Sequence, residues 1–327
     1  MIWLTWRQHR TQAATTVAFV AAVAALLLAK GSTVHSYFDS TVKPCLVQHG
    51  QCDGLINAFE NRFSGLQILI PLVLVLPLLV GLFWGAPLVA REMESGTFRL
   101  AWTQSVTRRR WLLTKVGVLI AAAILISAAY AGLSSWFSGP FNRATSSRLQ
   151  PGLFDLQGVV PIAYTVFALA LGVAMGAVFR RVLPAMAATL GAFVVVRVLV
   201  ELLARPHFLA VRTRTYAALG GGRTFGDWVV SARIFDSQGR LFSKSADITF
   251  TPQSLARWCP GVDQSPTAFA DGGPFKGCVR SLGLQVTEKY HPASQFWAFQ
   301  AIESALFLGL AAGCVAFAVW WIRRRSS

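Results

Sequence analysis

Few residues in this chain stand in a pattern that could do chemistry. Its five histidines, His9, His35, His49, His207 and His291, are scattered, and no His-Glu-x-x-His or Cys-x-x-Cys pattern gathers metal ligands. The run Gly220-Gly221-Gly222-Arg223 lacks both the spacing and the lysine of a Gly-x-x-x-x-Gly-Lys phosphate loop. The sequence thus offers no motif for binding and splitting a nucleotide. What remains are charges in unusual settings. Arg197, Glu201 and Glu303 lie within apolar runs, where a lone charge is costly and needs a partner. Arg197 and Glu303 fall at similar depth, with Glu201 one turn above Arg197. A salt bridge tying two spans is the favoured expectation, and direct substrate contact the competing one. The second setting is Arg91-Glu92-Met93-Glu94-Ser95-Gly96-Thr97, which directly follows an apolar run and precedes Arg99 and Arg108-Arg109-Arg110. A helix over residues 91–102 puts Glu92, Ser95 and Arg99 on one face and Met93, Thr97 and Leu100 on the other. Such a helix either anchors at the membrane surface or offers its polar face to a partner.

The elements that position these residues follow from composition. Of the 327 residues, 54% are hydrophobic and only 13% charged, against roughly 25% charged in soluble domains. This is the composition of an integral membrane protein. The formal net charge of +16 sits beside apolar runs rather than on a basic, aromatic-interleaved soluble domain. Retention on the cytoplasmic side and contact with anionic lipid headgroups explain it better than nucleic acid does. A hydrocarbon core about 30 Å thick needs roughly 20 apolar helical residues. Six runs meet that length: 13–29, 65–90, 112–137, 159–179, 182–203 and 296–322. Ahead of the first, Trp3 and Trp6 with Arg7, His9 and Arg10 read as an interfacial helix over residues 1–12. A cleaved signal peptide is the rival reading, but the apolar stretch is longer than a usual signal core and no small-x-small site ends it.

Ala168, Gly172 and Gly176 put small residues on one face of the fourth run, a surface for close helix packing. Pro71, Pro77 and Pro87 shape the second. Thirteen basic residues, including Arg91, Lys115, Arg180, Arg181 and Arg323, flank one side, against Lys30, Lys43, Arg62, Arg143 and Arg148 in the short loops opposite. The positive-inside rule then places both termini in the cytoplasm of a multi-pass plasma-membrane protein. Residues 31–64 read as a polar loop and 204–295 as an extracellular region, with 296–327 the last span and a basic tail. Trp228 to Phe235, the turn Asp236-Ser237-Gln238-Gly239 and the extended residues from Arg240 to Phe250 read as a β-hairpin. Cys45 with Cys52 and Cys259 with Cys278 are the economical disulfide pairs in an oxidising exterior. The fold class is therefore an all-α polytopic membrane protein of six helices with a small extracellular β-hairpin.

Arg91-Glu92-x-Glu94-x-Gly96-Thr97, followed by Ser105-Val106-Thr107-Arg108 and by Lys115 at the entry to the next span, resembles the permease subunits of type-2 (ABC-2 type, ABCG-like) ATP-binding-cassette transporters. The likeness in layout covers most of the chain; its sequence-specific part spans residues 86–115. The resemblance implies that the segment near 91–104, in the 13–203 transmembrane region, is a coupling helix docked in a groove of a separate ATPase subunit. Arg91, Glu92, Glu94, Gly96, Thr97 and Arg99 would transmit closure of the ATPase dimer to the spans. Many relatives have proline where this chain has Ser105. The resemblance further implies a second permease copy, in a homodimer or heterodimer, and export of a hydrophobic or amphipathic substrate. This chain itself would be no enzyme and bind no cofactor, with ATP and Mg held by the partner. The alternative class is a non-transporting membrane sensor or scaffold whose disulfide-tied extracellular region binds a ligand.

Overall fold

In a bilayer every backbone polar group must be satisfied within the protein, so long apolar runs become helices. The computed structural model describes residues 2–48, 52–68, 74–95, 108–145, 148–218, 226–243, 259, 262 and 274–325. Among these, six helical segments are long and apolar enough to cross a membrane: Ala14–Val47, Leu76–Glu94, Arg110–Ala144, Val160–Phe179, Val182–His207 and Ala293–Arg324. They form one compact unit with the rest of residues 1–208 and 296–327, while Leu209–Gln295 forms a second.

The helix of the first span starts at Ile2 and runs unbroken to Tyr37, so the segment 1–12 is continuous with the span. It continues through a π-turn, Phe38–Val42, into Lys43–Val47, and after a short connection Asp53–Phe63 is helical again. Residues 31–64 are therefore not a polar loop. The apolar stripe was present in the sequence: Phe38 and Val42 stand four apart, and Ile56, Phe59 and Phe63 stand at helical spacing. These side chains bury against each other and Phe141, with the Phe59 and Phe141 rings 5.1 Å apart. The Cys45–Cys52 disulfide closes the turn between the two helices.

The fourth span is the core of the bundle, buried along nearly its whole length. Its small-residue face meets the second span at Gly81 and Gly85, which open and close a π-turn, Gly81–Gly85. A Cβ on Gly85 would stand 2.5 Å from the Leu169 carbonyl, and one on Gly176 2.5 Å from the Ala86 carbonyl. Only glycine admits such backbone approach. Trp84 on the second span donates from its indole N–H to the Thr16 hydroxyl of the first, 2.9 Å away. Pro71 lies outside the described residues. Between the fourth and fifth spans, Arg180 takes a left-handed conformation (φ 54°) and donates its backbone N–H to the Gly176 carbonyl, and Arg181 is extended. This makes the reversal two residues long.

The second unit contains an antiparallel sheet of four described strands, β1 Arg212–Ala217, β2 Trp228–Phe235, β3 Leu241–Ser243 and β4 Gln285–His291, in the order β1-β4-β2-β3. The hairpin of β2 and β3 turns at Asp236, whose carboxylate accepts from the backbone N–H groups of Gln238 and Arg240. Those bonds, led by the one from Arg240, hold its carboxyl below the usual aspartate range. Residues 244–250 lie outside the described residues. β4 fills the centre by pairing with both β1 and β2, a long-range arrangement beyond the hairpin. Arg214 lies between Asp227 and Glu288, at 2.7 and 2.9 Å. The Cys259–Cys278 disulfide ties this unit internally.

Candidate functional site

Two groups of charges occupy opposite ends of the helical bundle. The first gathers around Arg205, at the end of the fifth span. Burying ions in a membrane protein demands partners, and here four ionised side chains supply each other. Asp155 comes from a 3-10 turn, Phe154–Leu156, just before the fourth span; Glu303 comes from the sixth; Arg197 and Arg205 come from the fifth. Arg205 reaches Asp155 Oδ1 through Nη2 at 2.6 Å, and Glu303 through Nε and Nη2, both at 2.8 Å. Arg197 Nη2 is 3.0 Å from Asp155 Oδ2, and its Nη1 is 3.5 Å from Glu303 Oε1. The Tyr164 hydroxyl sits between the carboxylates, 3.0 Å from Asp155 and in short contact with Glu303. The Arg197 guanidinium lies 3.9 Å from the centre of the Tyr164 ring. Asp155, Arg205 and Glu303 are almost wholly buried.

Two cations and two carboxylates cancel, so the group is neutral as a whole while each member remains charged. Burial works against the Asp155 carboxylate, but the charges of Arg197 and Arg205 and the hydrogen bonds from Arg205 and Tyr164 outweigh it and hold its pKa below the usual range. Amides extend the network. Gln300 accepts the N–H groups of Val159 and Val160 at 2.9 and 3.0 Å, satisfying backbone donors at the start of the fourth span, and donates to the Phe154 carbonyl. Asn142 and Gln157 pair through their side-chain amides. A cavity of about 20 Å³ beside the cluster is bordered by Tyr130, whose buried hydroxyl has no hydrogen-bond partner among the described residues. What the arrangement can do is clamp the fourth, fifth and sixth spans at one end.

Of the residues singled out in the sequence, Arg197 and Glu303 are brought together here. Glu201 is not: it is half-buried and makes no ion pair among the described residues. It lies in a π-turn, Val200–Ala204. A π-turn acts as a one-residue insertion, shifting the helix phase by about 100°. Eight α-helical residues would leave Arg205 about 80° from Arg197, and the inserted residue reduces this to about 20°. Arg205 thereby joins the face of Arg197, which spacing alone did not reveal. Asp155 was missed because it precedes the apolar run, and Tyr164 because a tyrosine inside a span carries no charge. The pairing of Asp155 with Arg205 had one sequence signal, namely that both border apolar runs on the same side.

The second group lies at the other end, where the second span finishes at Glu94. Glu92 pairs in a short contact with Lys115, which is buried in the third span with its ammonium 4.9 Å from the centre of the Trp111 ring. Glu94 accepts the backbone N–H of Val182, 3.1 Å away, and so caps the start of the fifth span's helix. Met93 packs into the apolar core, and Arg91 is exposed. Arg91 to Glu94 thus form the last turn of the second span. Gly96, Thr97, Arg99, Ser105 and the other residues of 96–107 lie outside the described residues. Among the described residues no group of histidine, cysteine, aspartate and glutamate could hold a metal.

No curated protein and no solved structure matches this chain. Residues 17–205, more than half of it, match the family model described as ABC-2 membrane transporter related. That match takes in nearly all of the first five spans, the Glu92–Lys115 pair, Asp155, Arg197 and Arg205, and it stops where the second unit is about to begin. With six apolar spans around a glycine-packed core, the chain belongs to the ABC-2 membrane transporter related family and is a transporter permease.

Proposed function

We propose that the chain couples ATP hydrolysis in a separate cytoplasmic ATPase subunit to export of a hydrophobic or amphipathic substrate across the plasma membrane. The observation that carries the proposal is the double tie at the end of the second span. Glu92 binds that end to the third span through Lys115, and Glu94 binds it to the fifth through the Val182 N–H. A push on this turn would therefore move three spans together. Arg91, exposed beside these ties, and Gly96, Thr97 and Arg99 just beyond would meet the ATPase. Both termini and this turn face the cytoplasm in this reading, consistent with Arg180, Arg181, Arg323 and Arg324 at the same end. Two permease copies, identical or related, complete the pathway, and ATP and Mg are held by the ATPase pair rather than by this chain.

The test is co-purification with candidate ATPases and measurement of ATP turnover in the assembled complex. Arg91→Glu is expected to weaken association. Glu92→Ala is expected to leave association intact and reduce the stimulation of turnover by the permease. If no ATPase associates, or if turnover ignores both substitutions, the coupling role is wrong.

A further inference from the structure

A groove runs along the membrane face of the bundle between the third, fourth and sixth spans, with a volume of about 640 Å³. Its walls are apolar: Leu113 and Ile120 on the third span, Val166 on the fourth, and Leu308, Ala312 and Val315 among those on the sixth. One end differs, because Trp320 and Arg323 close it. Arg323 is exposed and has no carboxylate partner among the described residues, while its neighbour Arg324 covers the Trp320 ring at 5.2 Å. From Leu308 to Arg323 the helix rises about 22 Å, more than half of a hydrocarbon core about 30 Å thick. The groove is thus amphipathic along its length, hydrocarbon-like for most of it and cationic at the level where a headgroup would lie.

We propose that this groove is a binding site for one anionic phospholipid, with an acyl chain lying along the small residues of the sixth span and the phosphate at Arg323. Charge complementarity selects the occupant: an arginine at the water boundary of an apolar groove attracts an anionic headgroup, and Trp320 is of the type that settles at that boundary. A second copy of the chain fits less well. A twofold contact sets a patch against itself, so a concave groove would meet a concave groove and Arg323 would approach its own counterpart. The site is independent of the coupling role proposed above and stands or falls separately from it.

The experiment is native mass spectrometry of the full chain, stripped of lipid in detergent and titrated with phosphatidylglycerol or phosphatidylcholine. One phosphatidylglycerol should bind more tightly than phosphatidylcholine. Arg323→Gln should weaken it about fivefold, the effect of one cation near an anionic surface, and Ala316→Phe, which fills the groove, should abolish the preference. Equal binding of the two lipids, or a preference that survives both substitutions, overturns the proposal. A dimer that Ala316→Phe dissociates, with no preferential lipid adduct on the monomer, overturns it in favour of a second copy. A thermal-melting check on each variant separates loss of the site from loss of the fold.

Discussion

At the Arg205 end, four ionised side chains from a turn and two spans meet with a tyrosine and exclude solvent; at the Lys115 end, one ion pair and one helix-capping bond join three spans beside an exposed arginine. The first end pairs each charge with two opposite charges, although Nη1 of each arginine has no hydrogen-bond partner among the described residues, so moving any one member strands others in a buried setting. Among the described residues the second buries fewer charges and leaves charge at the surface. The multiply paired end resists opening, and the coupling proposed above would act at the other.

The largest effect should come from removing one member of the Arg205 cluster. Glu303→Leu leaves two guanidinium groups with one carboxylate, and stranding a buried ion costs about 3–5 kcal/mol. Unfolding in detergent followed by tryptophan fluorescence should register that loss. Replacing Arg205 and Glu303 together by Met and Leu should cost less than Glu303→Leu alone, since it strands fewer charges. If Glu303→Leu costs under about 1 kcal/mol, the clamp does not exist and the contrast between the ends collapses.

A smaller loss is expected at the other end. Glu92→Gln removes the partner of a buried ammonium, but Lys115 keeps its place over the Trp111 ring, so about 1–3 kcal/mol should be lost. Smaller again is Glu94→Ala. Its carboxylate is exposed and its role is to cap the Val182 N–H, worth about 0.3–1 kcal/mol at a helix N-terminus. The same unfolding assay ranks the three. Finding Glu94→Ala as costly as Glu303→Leu would show that the two ends are equally rigid.

How much of this could be read from residues alone varies with the range of the interaction. The six spans were legible because apolar length is a local property, and the β2–β3 hairpin because its turn residues are adjacent. Both disulfides were legible because each of the two segments holds two cysteines. The central strand β4 was not, since its partners β1 and β2 lie far off in the sequence and its side chains alternate weakly. The helix Asp53–Phe63 was hidden by its exposed polar face, although Ile56, Phe59 and Phe63 marked the other. In the cluster, depth along a span brought out Arg197 and Glu303. Arg205 required knowledge of the π-turn, which no residue type announces, and Asp155 required knowing that a turn outside the membrane folds back onto the spans.

The smallest expected effect separates the two ends by pH. Asp155 has its folded-state pKa depressed, so its contribution to stability is fully present above the ordinary aspartate value of about 3.9 and is lost only as pH falls through the lower folded value. The difference in stability between the protein and its Asp155→Asn variant should therefore stay level from about pH 8 to pH 5 and shrink only below about pH 4. Taking the difference cancels the carboxylates that titrate alike in both chains. A difference that already changes between pH 7 and pH 5, growing as the pH falls, would mean that burial, not Arg197 and Arg205, governs Asp155. Asp155 would then stand protonated beside two guanidinium groups at mildly acidic pH, and the charge-paired clamp that distinguishes the Arg205 end would fail.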